Sequence, residues 1–260
     1  MNLNRGIFYF HGNEDVSFTF YDGFPIDFPG GVGKLEGTAD TVRAPDGVGV
    51  TVQRLTVPER NVTINGYVTA VPSAEYRRRL ERAFAPLARG RLWTQTEEGG
   101  VFFLDCVSLV GVELEGARQC PRFQVQLMAE YPYWQRREEC SVSVSGAGTS
   151  IAGEADIRTD VAALFRAEIS ATGAAEGVRL AVGPEWLEYS GTLGAGETLA
   201  LGADSAGRIS AKIGGRDVVG LVSGGLKKLP GGGQTITLTA AQNAGTLTAK
   251  IFYKEARSGV

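Results

Sequence analysis

Along most of the chain apolar and polar residues alternate, which places every second side chain on one face of an extended strand. Val16-Ser17-Phe18-Thr19-Phe20, Val48-Gly49-Val50-Thr51-Val52 and Asn61-Val62-Thr63-Ile64-Asn65-Gly66-Tyr67-Val68 carry this signature and predict half-buried strands. In Phe123-Gln124-Val125-Gln126-Leu127 the apolar and polar sets again fall on opposite faces. Further strands are expected at residues 6–10 and 101–104. One segment keeps a different period. Tyr76, Leu80, Phe84 and Leu87 follow one another at three- and four-residue steps, which predicts a helix over residues 73–87 with Ser73 as its N-cap. Arg77, Arg78, Glu81 and Arg82 then fall on its outer face, Pro86 ends or bends it, and Gly90 lies just beyond.

Downstream, short alternating segments recur with turn residues between them and no helix. They are residues 164–169, 178–182, 186–189, 198–201, 208–213, 234–239 and 247–253. Gly194-Ala195-Gly196-Glu197, Gly214-Gly215-Arg216-Asp217 and Pro230-Gly231-Gly232-Gly233 mark turns. Such a series predicts an antiparallel β-sandwich.

Residues 24–46 fit neither pattern. Phe24-Pro25-Ile26-Asp27-Phe28-Pro29-Gly30-Gly31-Val32-Gly33 mixes large apolar side chains with glycine and proline. A long glycine-rich stretch with greasy side chains suits an arm that buries them on a neighbouring subunit. Phe24, Phe28 and Val32 are therefore the expected subunit-interface residues.

Composition divides the chain in two. Of 23 aromatic residues only five lie beyond residue 140, and the downstream part is built from Gly, Ala, Thr, Ser, Val and Leu. Two kinds of core imply two domains, 1–140 and 141–260, with the seam between Trp134 and Gly146. The expected fold class is mainly β: a first β domain with one α-helix, then a β-sandwich.

Charge and chemistry narrow the function. The net charge is −3, the isoelectric point is near 5.4, and arginines cluster only on the predicted helix. That leaves no continuous basic surface for nucleic acid. No apolar run reaches the length of a membrane span, and the first five residues lack a signal peptide's apolar core, so synthesis in a cytoplasm is expected. Cys106, Cys120 and Cys140 are odd in number and far apart, as befits reduced structural thiols. Asn61-Val62-Thr63 matches a glycosylation sequon but reads as strand.

A catalytic triad would have to use His11, the single histidine, which reads as a turn residue between two strands. Pro29-Gly30-Gly31-Val32-Gly33-Lys34 lacks the spacing of a phosphate loop, with Leu35 where a hydroxyl is needed. Glu185 and Glu188, three residues apart in a strand, point to opposite faces and cannot form a glycosidase pair. Trp186 and Tyr189 are the candidate glycan contacts should the second domain be a carbohydrate-binding module. No enzyme activity, cofactor or metal is expected.

The order of these pieces resembles the distal tail proteins of long-tailed, non-contractile bacteriophages. The resemblance runs through the aromatic strand Ile7-Phe8-Tyr9-Phe10, the stretch Arg60-Asn61-Val62-Thr63-Ile64-Asn65-Gly66, the helix leading into Gly90-Arg91-Leu92-Trp93-Thr94, and Glu130-Tyr131-Pro132-Tyr133-Trp134. It continues in Gly194-Ala195-Gly196-Glu197-Thr198-Leu199 and Leu229-Pro230-Gly231-Gly232-Gly233-Gln234-Thr235-Ile236, where Gly233-Gln234 departs from the family's asparagine. It implies a homohexameric ring at the tip of the tail tube. The first domain would form the ring, and the second would be galectin-like without implied lectin activity. The implied partners are the tail tube protein, a tail-associated lysin or hub protein and receptor-binding proteins, with no specific nucleic-acid or membrane binding.

Overall fold

The computed structural model describes residues 8–12, 17–20, 24–27, 29–33, 35–43, 48–69, 73–96, 99–115 and 120–260. The chain is mainly β, with antiparallel sheets and one α-helix among the described residues. It divides into two compact units, Met1–Gln135 together with Ser258–Val260, and Arg136–Arg257.

The first unit contains β1 (Phe8–Gly12), β2 (Ser17–Thr19), β3 (Thr38–Arg43), β4 (Val50–Thr56), β5 (Arg60–Tyr67) and α1 (Ser73–Ala83). It continues with β6 (Arg89–Gln95), β7 (Val101–Ser108), β8 (Glu113–Glu115) and β9 (Arg122–Ala129). β2, β1, β6 and β7 are neighbours in that order, all antiparallel. β9 pairs along its whole length with β5, and with β8 and the end of β7 on its other edge. The alternation read from the sequence does its work here: Val62 and Ile64 of β5 and Phe123, Val125 and Leu127 of β9 are buried. Leu80 and Ala83 of α1 join the same core. Phe20 stacks on Phe84 at 6.0 Å and on Phe123 at 6.5 Å between ring centroids. Such offset contacts add to simple area burial.

α1 is shorter than its periodicity predicts. Proline cannot donate to the helix ladder and disfavours helical backbone at the residue before it, so the chain leaves the helix before Pro86. Leu87, expected on the buried face, instead takes a left-handed conformation (φ 65°) and is 74% exposed. Its amide donates to the Ser108 carbonyl at 2.8 Å. Gly90 does not cap the helix; it lies within β6 opposite Cys106. His11, expected in a turn, is a strand residue paired in register with Ser17 and Arg91.

β10 (Trp134–Ala147) carries the chain into the second unit. There follow β11 (Ser150–Ile157), β12 (Phe165–Ala171), β13 (Ala175–Val182), β14 (Glu185–Leu193), β15 (Thr198–Ala203) and β16 (Ile209–Ile213). The remaining strands are β17 (Arg216–Asp217), β18 (Val222–Gly224), β19 (Gly232–Thr239), β20 (Gln242–Asn243) and β21 (Thr246–Arg257). One sheet runs β17-β16-β15-β12-β21-β10 and the other β11-β19-β13-β14-β18, with β20 beside β13. Each sheet has one buried face, so this unit is a sandwich of small aliphatic side chains such as Ala167, Ile169, Leu180, Leu199, Leu238 and Ile251. The expected seam near residue 140 falls inside the continuous strand β10, and Gly148 (φ 104°) sits in the turn between β10 and β11. Near the start of β10 and the end of β21, Glu255 accepts from Arg136 at 2.9 Å and Arg257 at 2.6 Å. Burial works against its charge, yet the two guanidiniums hold its carboxyl below the usual glutamate value.

Candidate assembly surface

β3 and β4 form a two-stranded sheet of their own. An isolated hairpin has no third strand or helix to cover either face. From Thr38 to Leu55 its strand residues are all exposed. The register contains a bulge: Asp40 faces Arg54 and Thr41 faces Val52, leaving Gln53 as the extra residue. The bulge has a chemical consequence. Val52 and Leu55 are three residues apart and would lie on opposite faces of a regular strand; across the bulge they pair with Thr41 and Ala39, which share one face. Val50, paired with Arg43, joins them.

The result is a hairpin with one apolar face, where Leu55 is 76%, Val50 59% and Val52 50% exposed. The other face carries Thr38, Asp40, Val42, Thr51, Arg54 and Thr56. Thr38 and Thr56 close its base through their hydroxyls at 2.6 Å. Val48 and Val57, at the two ends of β4, are exposed as well. Exposed apolar surface, when contiguous, is a common feature of contact sites.

The expected interface residues lie elsewhere. Phe24 is 2% and Val32 0% exposed, both within the core of the first unit. The Phe24 ring meets Tyr76 at 5.6 Å and the edge of Phe123 at 6.3 Å. Phe28 lies outside the described residues. The supposed arm is zipped to the free edge of β5. The Asp27 amide donates to the Asn65 carbonyl, Tyr67 to Pro25, and Gly30 and Thr63 exchange bonds of 2.9 and 3.1 Å. Side chains with no surface left in the single subunit have none to give a neighbour, so Phe24 and Val32 are core, not interface. The glycines explain the close approach. Gly31 has φ 81°, and a Cβ there would run into the Asn61 carbonyl; a Cβ on Gly66 would meet the Pro25 carbonyl.

The candidate glycan contacts also have other occupations. Tyr189 is buried. Trp186, half-buried on β14, has the Arg179 guanidinium over its ring at 4.2 Å, so that face is already covered. Cys106 is buried, and burial pushes its thiol up to about 12, which suits an inert core thiol. Among the described residues no three His, Cys, Asp or Glu side chains gather as a metal site would require. No helix there is long and apolar enough to cross a membrane.

Two antiparallel β units, with β10 carrying the chain from the first into the second, make a fold similar to those of solved phage hub and baseplate chains. The SPP1 Dit protein, a paradigm of the hub adsorption apparatus in phages infecting Gram-positive hosts, superimposes with a TM-score of 0.69. The match covers 96% of this chain and 99% of that one at 13% identity. A chain of the phage P2 baseplate in its activated conformation matches with a TM-score of 0.52 at 9% identity, covering 98% of this chain and 99% of that one. No protein-family model matches the chain, and no curated protein does. At the level of the fold, the resemblance to distal tail proteins read from the sequence therefore stands.

Proposed function

We propose that this chain is a structural subunit of a phage tail tip, closing with copies of itself into a ring that joins the tail tube to the hub and receptor-binding proteins. The apolar face of the β3–β4 hairpin carries the proposal. It is the largest uncovered set of branched aliphatic side chains among the described residues, and a head-to-tail contact that seats it on the next subunit generates a ring where the rotation between subunits closes. The similarity in fold to the SPP1 Dit protein over nearly the whole chain supports a hub role. Six subunits is the number implied by the family resemblance.

In this reading the protein works by geometry and surface burial and has no reaction to catalyse. It is made in the host cytoplasm and ends in the virion. A glycan-binding role for the second unit is not favoured, because Tyr189 is buried and one face of the Trp186 ring is already taken by Arg179.

The test is assembly. Purified full chain is examined by light scattering and negative-stain microscopy beside a variant carrying Val50→Lys, Val52→Lys and Leu55→Lys. An annulus for the natural sequence and a folded single subunit for the variant are expected. An annulus that survives the three lysines sinks the hairpin assignment; a natural chain that stays single at every concentration sinks the self-assembling ring.

A further inference from the structure

The last residues of the chain do not belong to the unit that contains the strand before them. β21 ends at Arg257 in the second unit, whereas Ser258–Val260 belongs to the first. What receives them is Arg60, the first residue of β5, which is almost wholly buried. Its guanidinium serves four backbone carbonyls from three separate stretches of chain. Nη1 donates to Gly31 and Val32 at 2.5 and 2.9 Å, Nε to Pro132 at 2.6 Å, and Nη2 to Ser258. Trp134 adds an indole N–H to the same Val32 carbonyl at 2.9 Å. Gly259 lies so close to Gly33 that an added Cβ would sit 2.6 Å from the Gly33 oxygen, and Val260 packs against the core.

Pro132 immediately precedes β10, on which the chain leaves for the second unit, and Ser258 immediately follows β21, on which it returns. β10 and β21 are neighbours in one sheet. We infer that Arg60 and residues 258–260 form a strap within the first unit, pinning at one point the chain just before it enters β10 and just after it leaves β21. A planar five-donor fork is the side chain that can do this, since a lysine ammonium has only three donors, all on one atom, for four carbonyls spread around the guanidinium. Four carbonyl partners also account for the burial of a cation with no carboxylate at hand among these bonds. A further consequence concerns order of events. The Arg60–Ser258 contact closes a loop of 198 residues, so the first unit reaches its final packing only after the end of the second has been made.

Hydrogen exchange of the full chain, followed by mass spectrometry, tests the strap in two variants, deletion of residues 258–260 and Arg60→Lys. Amides zipped between the 24–32 segment and β5, such as Gly30 and Thr63, should exchange about tenfold faster or more in both variants, the factor set by one lost charge-assisted hydrogen bond. Peptides from β12, β13 and β14 should keep their rates. If the deletion leaves the first unit's protection unchanged, the strap does not exist, whatever Arg60→Lys does. Equal loss of protection in both units overturns it too, because that is general destabilisation. The deletion keeps the inference exposed to refutation even if Arg60→Lys fails to fold.

Discussion

Two neighbouring stretches of the first unit, residues 24–32 and the β3–β4 hairpin, are both rich in apolar side chains and end in opposite situations. The irregular, glycine-rich stretch looks like the loose one and is fixed. Its backbone bonds to the edge of β5 and its Phe24, Ile26 and Val32 side chains fill the core. The regular, alternating stretch looks like an ordinary half-buried strand and is exposed from Val50 to Leu55. Whether an apolar residue is covered depends on whether the backbone beside it finds a partner strand inside the same subunit. β5 offers a free edge to one segment; among the described residues the hairpin pairs only with itself. The surplus apolar surface of this subunit therefore sits about two dozen residues further along the chain than composition alone indicates.

The sharpest way to break that comparison is to remove Phe24. Phe24→Ala leaves a hole between Tyr76 and Phe123 and should cost about 3–5 kcal/mol, the usual range for a buried phenylalanine. Denaturant titration of the full chain checks it. A loss near zero would return Phe24 to the surface and restore the arm. Next in size is Gly31→Ala. Left-handed backbone alone disfavours alanine by about 1–2 kcal/mol, and the Asn61 carbonyl blocks its methyl group, so a loss of about 2 kcal/mol or more is expected in the same titration. An alanine accepted without loss would mean that the segment is not held against β5.

How much of this was readable beforehand follows the same logic. Strands with one covered face declared themselves, because burial of every second residue is what alternation records: β5 and β9 were legible almost residue by residue. The series of strands in the second unit was legible for the same reason. Alternation in β4 predicts half-burial, whereas its side chains from Val50 to Leu55 are exposed among the described residues. β3 (Thr-rich, with Asp40 and Arg43 in a six-residue strand) gave no signal, and a bulge at Gln53 cannot be seen without knowing the register. The docking of residues 24–32 rests on backbone hydrogen bonds and on two glycines, neither of which has a period. Leu87 kept the helical period past a proline that had already ended the helix. The return of residues 258–260 to Arg60 leaves no trace in composition at all, since its acceptors are backbone carbonyls that every residue carries.

The smallest expected effect on stability is the most informative about the hairpin. Val50→Thr together with Val52→Thr keeps two β-branched side chains of nearly the same shape, so strand propensity and pairing with Thr41 and Arg43 are retained. In the single subunit both side chains already stand in water, and exchanging exposed methyls for hydroxyls should change unfolding free energy by no more than about 0.5 kcal/mol. Association behaves differently if this face is covered by a neighbour, because each hydroxyl must then be stripped of water without a designated partner. The concentration at which subunits assemble, measured by light scattering across a dilution series, should therefore rise about tenfold or more while the denaturant midpoint of the single subunit stays in place. A variant that loses stability as a monomer would show that the hairpin face already packs within its own subunit. A variant that assembles at the natural concentration would show that the neighbour never touches it, and the contrast between the two stretches would then carry no functional meaning.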